Sequence, residues 1–143
     1  MNQIRPWLYI GKYRETKNHS LLKAHQINAM LQLAEAVEQP SITALYLAVD
    51  DGIPLSAEML RKGLDFIKEQ KEMDKTMLIA CGAGISRSAS FAIASLKELE
   101  AISLLVAYQE VKSYHRETLP HPALWQSLCE YYNEDISFSE VIR

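Results

Sequence analysis

Across residues 76–91 the chain reads TMLIACGAGISRSASF, and no other stretch restricts the fold as much. The run Met77-Leu78-Ile79-Ala80 is short and wholly apolar, the pattern of a strand buried on both faces of a sheet. A loop of small residues follows. Over residues 88–99 the composition and spacing then predict a helix, and its first turns (Ala89, Phe91, Ala92, Ile93, Ala94) are apolar almost all round, so it must be buried as well. Strand, tight loop and helix in this order predict an α/β sheet, in which loops at the carboxyl ends of strands converge on the ligand site.

The loop has the composition of an anion cradle. Cys81 opens it and Arg87 closes it, while Gly82, Ala83 and Gly84 are small enough for the main chain to curl around a phosphoryl group. With Ile85 and Ser86 they offer backbone N–H groups at the positive end of a helix dipole. Free cysteine titrates near ~8.5, and a helix N-terminus beside a cation lowers that to roughly 3.5–7.5. Cys81 is therefore expected to act as a thiolate nucleophile. Arg87 can hold two phosphoryl oxygens with its planar fork, and the Ser88 hydroxyl can donate to the Cys81 sulfur. The Cys-x5-Arg spacing alone is a weak signal. Its conjunction with a buried strand, two loop glycines, a serine after the arginine and a helix is much less common by chance.

On these residues a resemblance rests. CGAGISRSAS resembles the signature loop of cysteine-dependent protein phosphatases, and AGISRSA in particular that of the dual-specificity branch. Leu8-Tyr9-Ile10-Gly11 and residues 25–33 are similar to that family's first strands. Residues 107–114, Leu119-Pro120-His121-Pro122 and residues 125–132 are similar to its last two helices, so the likeness covers roughly residues 4 to 133. It implies a protein tyrosine phosphatase-like fold and a phosphocysteine intermediate. It also implies that no metal or cofactor takes part, and that the substrates carry phosphotyrosine, with phosphoserine or phosphothreonine a further class. One position departs. The family motif has His immediately before the nucleophile, where this chain has Ala80; the change removes a side chain that helps to fix the loop and leaves both the nucleophile and the arginine.

Transfer to a thiolate leaves an oxyanion to expel, and a carboxylic acid over the leaving oxygen lowers that barrier. Residues 44–49 read as a buried strand ending in Asp50-Asp51-Gly52-Ile53-Pro54. The resemblance points to Asp51 as the acid, with Asp50 the alternative; either could instead serve only the turn, where Asp bonds its own backbone.

Elsewhere, residues 7–10 read as a strand stopped by Gly11, residues 12–20 as a polar loop, and residues 21–25 as a short helix capped by Asn18 or Ser20. A strand is expected over residues 29–33, and helices over residues 57–71 (capped by Ser56), 104–114 (capped by Ser103) and 122–133. His115-Arg116 reads as a basic pair suited to a helix C-terminus, Arg116 being an alternative substrate contact. His19 and His25 read as structural, Cys129 as an inert buried thiol, and residues 134–143 as a loosely held tail.

A chain of 143 residues, 48% hydrophobic, can build one core, so we expect a single domain over residues 1–143 with a central, mostly parallel sheet of four to five strands flanked by helices. The net charge of -3 gives no general attraction to nucleic acid or to an anionic membrane. Two cysteines without paired spacing suggest neither zinc nor a disulfide framework. The expectation is a cytoplasmic monomer whose partner is a phosphorylated protein or peptide. A phosphatase of some non-protein phosphomonoester, a sulfurtransferase and a non-catalytic phosphopeptide-binding module stay open as alternatives. The absence of lysine from the loop disfavours highly charged inositol phosphates.

Overall fold

A computed structural model describes residues 1–141. Its elements are β1 (Asn2–Arg5), β2 (Leu8–Lys12), α1 (Tyr13–Thr16), α2 (His19–Ala24), β3 (Ala29–Gln32), β4 (Thr43–Tyr46) and α3 (Ala57–Glu72), then β5 (Met77–Cys81), α4 (Arg87–Glu100), α5 (Leu104–Tyr114), α6 (Pro122–Tyr132) and α7 (Phe138–Val141). The five strands form one sheet in the order β1-β2-β5-β3-β4. Only β1 runs antiparallel, against β2; the pairs β2·β5, β5·β3 and β3·β4 are parallel. This is the expected mostly parallel sheet, with the apolar run of residues 77–81 at its centre.

Strand alternation sorts the side chains between two faces. Met77, Ile79 and Cys81 join Leu8, Ile10, Ala29 and Leu31 in the main core, where Leu60, Leu64 and Ile67 of α3, Phe91 and Ile93 of α4, Val111 of α5 and Trp125 of α6 pack. Leu78 and Ala80 point to the other face and meet Leu22 of α2, Ile27 and Met30. That alternation puts the Cys81 side chain on the side of the large helices. The helix caps follow the sequence: Asn18 accepts from Leu21 N, Ser56 from Met59 N and Ser103 from Val106 N.

Four local expectations need correction. β1 has no apolar run, and only Ile4 of its residues is buried; pairing with β2 orders it. Gly11 does not stop its strand, because its register continues against Ala80 and Lys12 lies opposite Cys81; within the polar stretch beyond it, Tyr13–Thr16 forms a helical turn. β4 is an exposed edge strand that ends at Tyr46, and the buried Leu47 and Val49 lie beyond it. The tail is held rather than loose: Trp125 Nε1 donates to Ile136 O (2.9 Å), Glu134 pairs with Lys97 (2.5 Å), and Val141 is buried in the main core. Positions 142 and 143 of that tail lie outside the described residues.

Candidate active site

Everything about the 81–87 loop turns on where its peptide groups point. Tyr13 N–H donates to Gly82 O (3.4 Å), Leu119 N–H to Ile85 O (3.0 Å) and His115 Nε2 to Gly84 O (2.5 Å). In a trans peptide the N–H lies opposite the C=O. Carbonyls held by outer donors therefore turn the N–H groups of Ala83, Ile85 and Ser86 toward the loop interior, which makes a concavity suited to an anion. Gly84 N–H donates directly to Cys81 Sγ (3.2 Å). Gly84 sits at φ +72, in the left-handed region, and a Cβ there would come within 2.9 Å of Gly11 O. Only glycine combines that conformation with that approach.

Cys81 is 2% exposed and forms the floor of a cleft of about 340 Å³, lined also by Asp51, Ala83, Ile85, Ser86, Arg87, Leu119, His121 and Pro122. Its neutral thiol donates to Ser88 Oγ (3.2 Å); once the thiol loses its proton the same hydroxyl becomes the donor. Arg87 opens α4 and reaches beneath the loop. Its Nη1 donates to Val49 O (2.9 Å) and Leu33 O (3.5 Å), in the segments that follow β4 and β3. Nη2 lies beside the loop, 2.9 Å from where a Cβ on Gly82 would sit. The guanidinium is anchored on one edge and presents the other to the cradle.

No side chain caps α4. Ser86 occupies the N-cap position of α4, yet its side chain makes no cap bond, and Ser88 lies within the first turn with its hydroxyl on Cys81. Instead, Ser86 Oγ–H donates to Asp51 Oδ1 (2.6 Å) and accepts from His121 N–H (2.7 Å). The α4 N-terminus thus has no side-chain cap, as an anion site at the positive end of a dipole requires. The serine meanwhile ties the Asp51 turn to the loop. Asp51 lines the cleft; Asp50 faces a separate hollow with Ile53, Pro54 and Met59.

Sequence reasoning brought Cys81, Arg87, Ser88, Asp51 and residues 82–86 to one place, and the structure brings them together there. It missed the segment after α5. His115 ends α5 as a buried side chain, 3% exposed, beneath the loop. Leu119 and His121 touch the loop through their backbone N–H groups, contacts that carry no side-chain signature in a sequence. Arg116 is exposed and lines neither this cleft nor the groove beside it. His19 bonds Gln39 and His25 stacks edge-on against Tyr9, as structural histidines do. Cys129 donates to Ile136 O (3.5 Å); burial pushes its thiol up, with Glu134 and Asp135 adding to the effect. Among the described residues no group of three or more His, Cys, Asp or Glu is placed to hold a metal ion, and no helix is long and apolar enough to cross a membrane.

A parallel sheet with a cysteine at the carboxyl end of its central strand, an arginine opening the next helix and a curled loop between them defines the architecture of the cysteine-dependent phosphatases. The sequence pattern described as "Dual specificity phosphatase, catalytic domain" matches residues 8–134, and the chain belongs to that family. Dual specificity protein phosphatase 19 of Mus musculus is 28% identical over 134 residues, covering 90% of this chain and 60% of the mouse protein. Dual specificity protein phosphatase 16 of Homo sapiens is 31% identical over 134 residues, covering 90% of this chain and 20% of its own length. The chain therefore spans less than two thirds of these relatives. The crystal structure of human DUSP28 superposes with a TM-score of 0.85 at 22% identity, covering 93% of this chain and 96% of that one, a likeness of fold.

Proposed function

We propose that this chain hydrolyses phosphomonoesters through a phosphocysteine intermediate, without a metal, on phosphotyrosine and on phosphoserine or phosphothreonine of proteins. The observation that carries the reading is the Gly84 N–H on Cys81 Sγ, inside a loop whose Gly82, Gly84 and Ile85 carbonyls are turned outward and whose cleft also holds Asp51. The thiolate attacks phosphorus while Arg87 and the loop N–H groups hold the equatorial oxygens. Asp51 gives its proton to the leaving oxygen. The P–O bond to the leaving group breaks as the S–P bond forms. A water that surrenders a proton to Asp51 then attacks phosphorus, the S–P bond breaks, and phosphate leaves.

Family membership supports a phosphatase, and the surroundings of the cleft support a macromolecular substrate. A second groove of about 610 Å³ shares Ala83, Ile85 and Arg87 with the cleft and runs on past Lys12, Arg14, Glu35 and Glu117. It is room for chain on either side of a phosphorylated residue.

The test is release of phosphate from p-nitrophenyl phosphate and from phosphotyrosyl and phosphothreonyl peptides, with EDTA present, across pH 4 to 9. Turnover should fall by more than about 10³-fold in Cys81→Ser. For Asp51→Asn it should fall about 10²- to 10³-fold, with the alkaline limb of the pH profile lost. Equal, negligible rates for all three proteins would sink the reading.

A further inference from the structure

Beneath the loop lies a buried imidazole that the mechanism above does not use. His115 closes α5 and is 3% exposed. Its Nε2 is 2.5 Å from Gly84 O, a pure acceptor, and its Nδ1 is 2.7 Å from Asn2 Nδ2, a donor. One arrangement satisfies both contacts: Nε2 carries the hydrogen and donates to Gly84 O, while Nδ1 accepts from the Asn2 amide. The tautomer is therefore set from outside the loop, by the first strand of the sheet.

Gly84 is the residue on which the loop pivots. Its N–H donates to Cys81 Sγ, and its carbonyl belongs to the peptide whose N–H is that of Ile85. Released from His115, that peptide is free to rotate and to turn the Gly84 carbonyl into the cradle in place of the Ile85 N–H, which loosens Gly84 and with it the N–H on Cys81 Sγ. Nothing nearer in sequence takes over the task. Ala80, just before Cys81, points to the opposite face of the sheet among Leu22, Met30 and Leu78 and offers the loop no donor.

We propose that His115, oriented by Asn2, is a positioning residue that holds Gly84 with its N–H on Cys81 Sγ and so keeps the Cys81 thiol reactive at neutral pH. The proposal rests on reading Cys81 as the nucleophile. It predicts an effect on the ground-state thiol, not only on turnover.

The experiment alkylates the full chain with iodoacetamide at pH 7 and pH 10 and follows Cys81 by peptide mass spectrometry, which separates it from Cys129. Wild type is compared with His115→Leu, His115→Gln and Asn2→Ala, each checked for folding by circular dichroism and melting temperature. In His115→Leu the rate at pH 7 should fall about tenfold, while at pH 10, above the ordinary range of a cysteine thiol, it should stay within about twofold. His115→Gln, which keeps an N–H donor, should recover to within about threefold of wild type, and Asn2→Ala should slow the pH 7 reaction about two- to threefold.

A wild-type rate at pH 7 in folded His115→Leu would overturn the proposal, and so would an equal slowing at both pH values, which would report access alone. Should His115→Leu not fold, Asn2→Ala decides: Asn2 is exposed, and a pH 7 rate unchanged from wild type would overturn the proposal. Failure of the hydrolase reading is distinguishable, because wild type would then release no phosphate while the alkylation ratios would still report on His115.

Discussion

Gly84 shows how much of a site can hang on one residue. Its φ of +72 costs an L-residue on the order of 1–2 kcal/mol, and a Cβ would meet the main chain of Gly11, which cannot swing aside. Gly84→Ala is therefore expected to lower kcat/KM on p-nitrophenyl phosphate about 10²-fold, through a displacement of the loop on the order of 1 Å. Its melting temperature should fall by only a few degrees, the shift that about 1–2 kcal/mol of strain produces in a domain of this size. Gly82 contrasts with it. There a Cβ would meet only the Arg87 Nη2 side-chain atom and no main chain, and the backbone is not left-handed, so Gly82→Ala should lower the melting temperature less than Gly84→Ala. At this scale most of the site is legible in the sequence: Cys81, the small residues and Arg87 lie within seven consecutive positions, and local spacing is what a linear reading sees.

Between elements, the helix that carries Arg87 is set by its packing on α3. Gly63 of α3 faces Phe91 of α4, and a Cβ there would lie 2.3 Å from Phe91 Cε1. Two effects oppose one another in Gly63→Ala. Alanine gains about 1 kcal/mol of helix propensity, and overpacking a fully buried ring costs typically 1–3 kcal/mol. At 2.3 Å the clash wins. We expect Gly63→Ala to be destabilised by about 1–2 kcal/mol, read as a lower urea midpoint with unchanged slope. Because α4 begins at Arg87, activity at low urea should fall too. Legibility is uneven at this scale. The apolar spacing of α3 and α4 and their neighbours marks the helices, yet nothing in it says that Gly63 is the point of contact. β1 and the short β4 are not legible in composition because pairing with neighbouring strands defines them.

Across the whole molecule α3, α4 and α6 are clamped by a charge network at Glu98. Arg61 and Lys68 of α3 reach it at 2.9 and 2.5 Å, and Tyr132 of α6 donates its hydroxyl to it. Burial raises the Glu98 pKa, but the hydrogen bonds from Arg61, Lys68 and Tyr132 outweigh it and hold the carboxyl down to about 2. An unfolded glutamate titrates near ~4.3. The network's contribution is therefore complete above that value and is lost as pH falls toward about 2. Glu98→Gln should be less stable than wild type by about 1–3 kcal/mol at pH 7, with the difference shrinking as urea titrations are taken from pH 5 down to pH 2. By itself the sequence determined the α/β class, the strand-loop-helix at residues 76–91, the capped helices and the candidacy of Cys81 and Arg87, because each is encoded in periodicity or spacing over a few turns; Asp51 was singled out only by what the family resemblance implies. The tertiary structure alone decided that Asp51 and not Asp50 enters the cleft, that Ser86 joins Asp51 rather than capping α4, and that His115 lies under the loop. These depend on contacts between residues far apart in the chain: His115 is 31 positions from Gly84 and 113 from Asn2. A burial pattern fixes the face a residue takes but not the residue it meets across a core, and only the packed fold supplies the second.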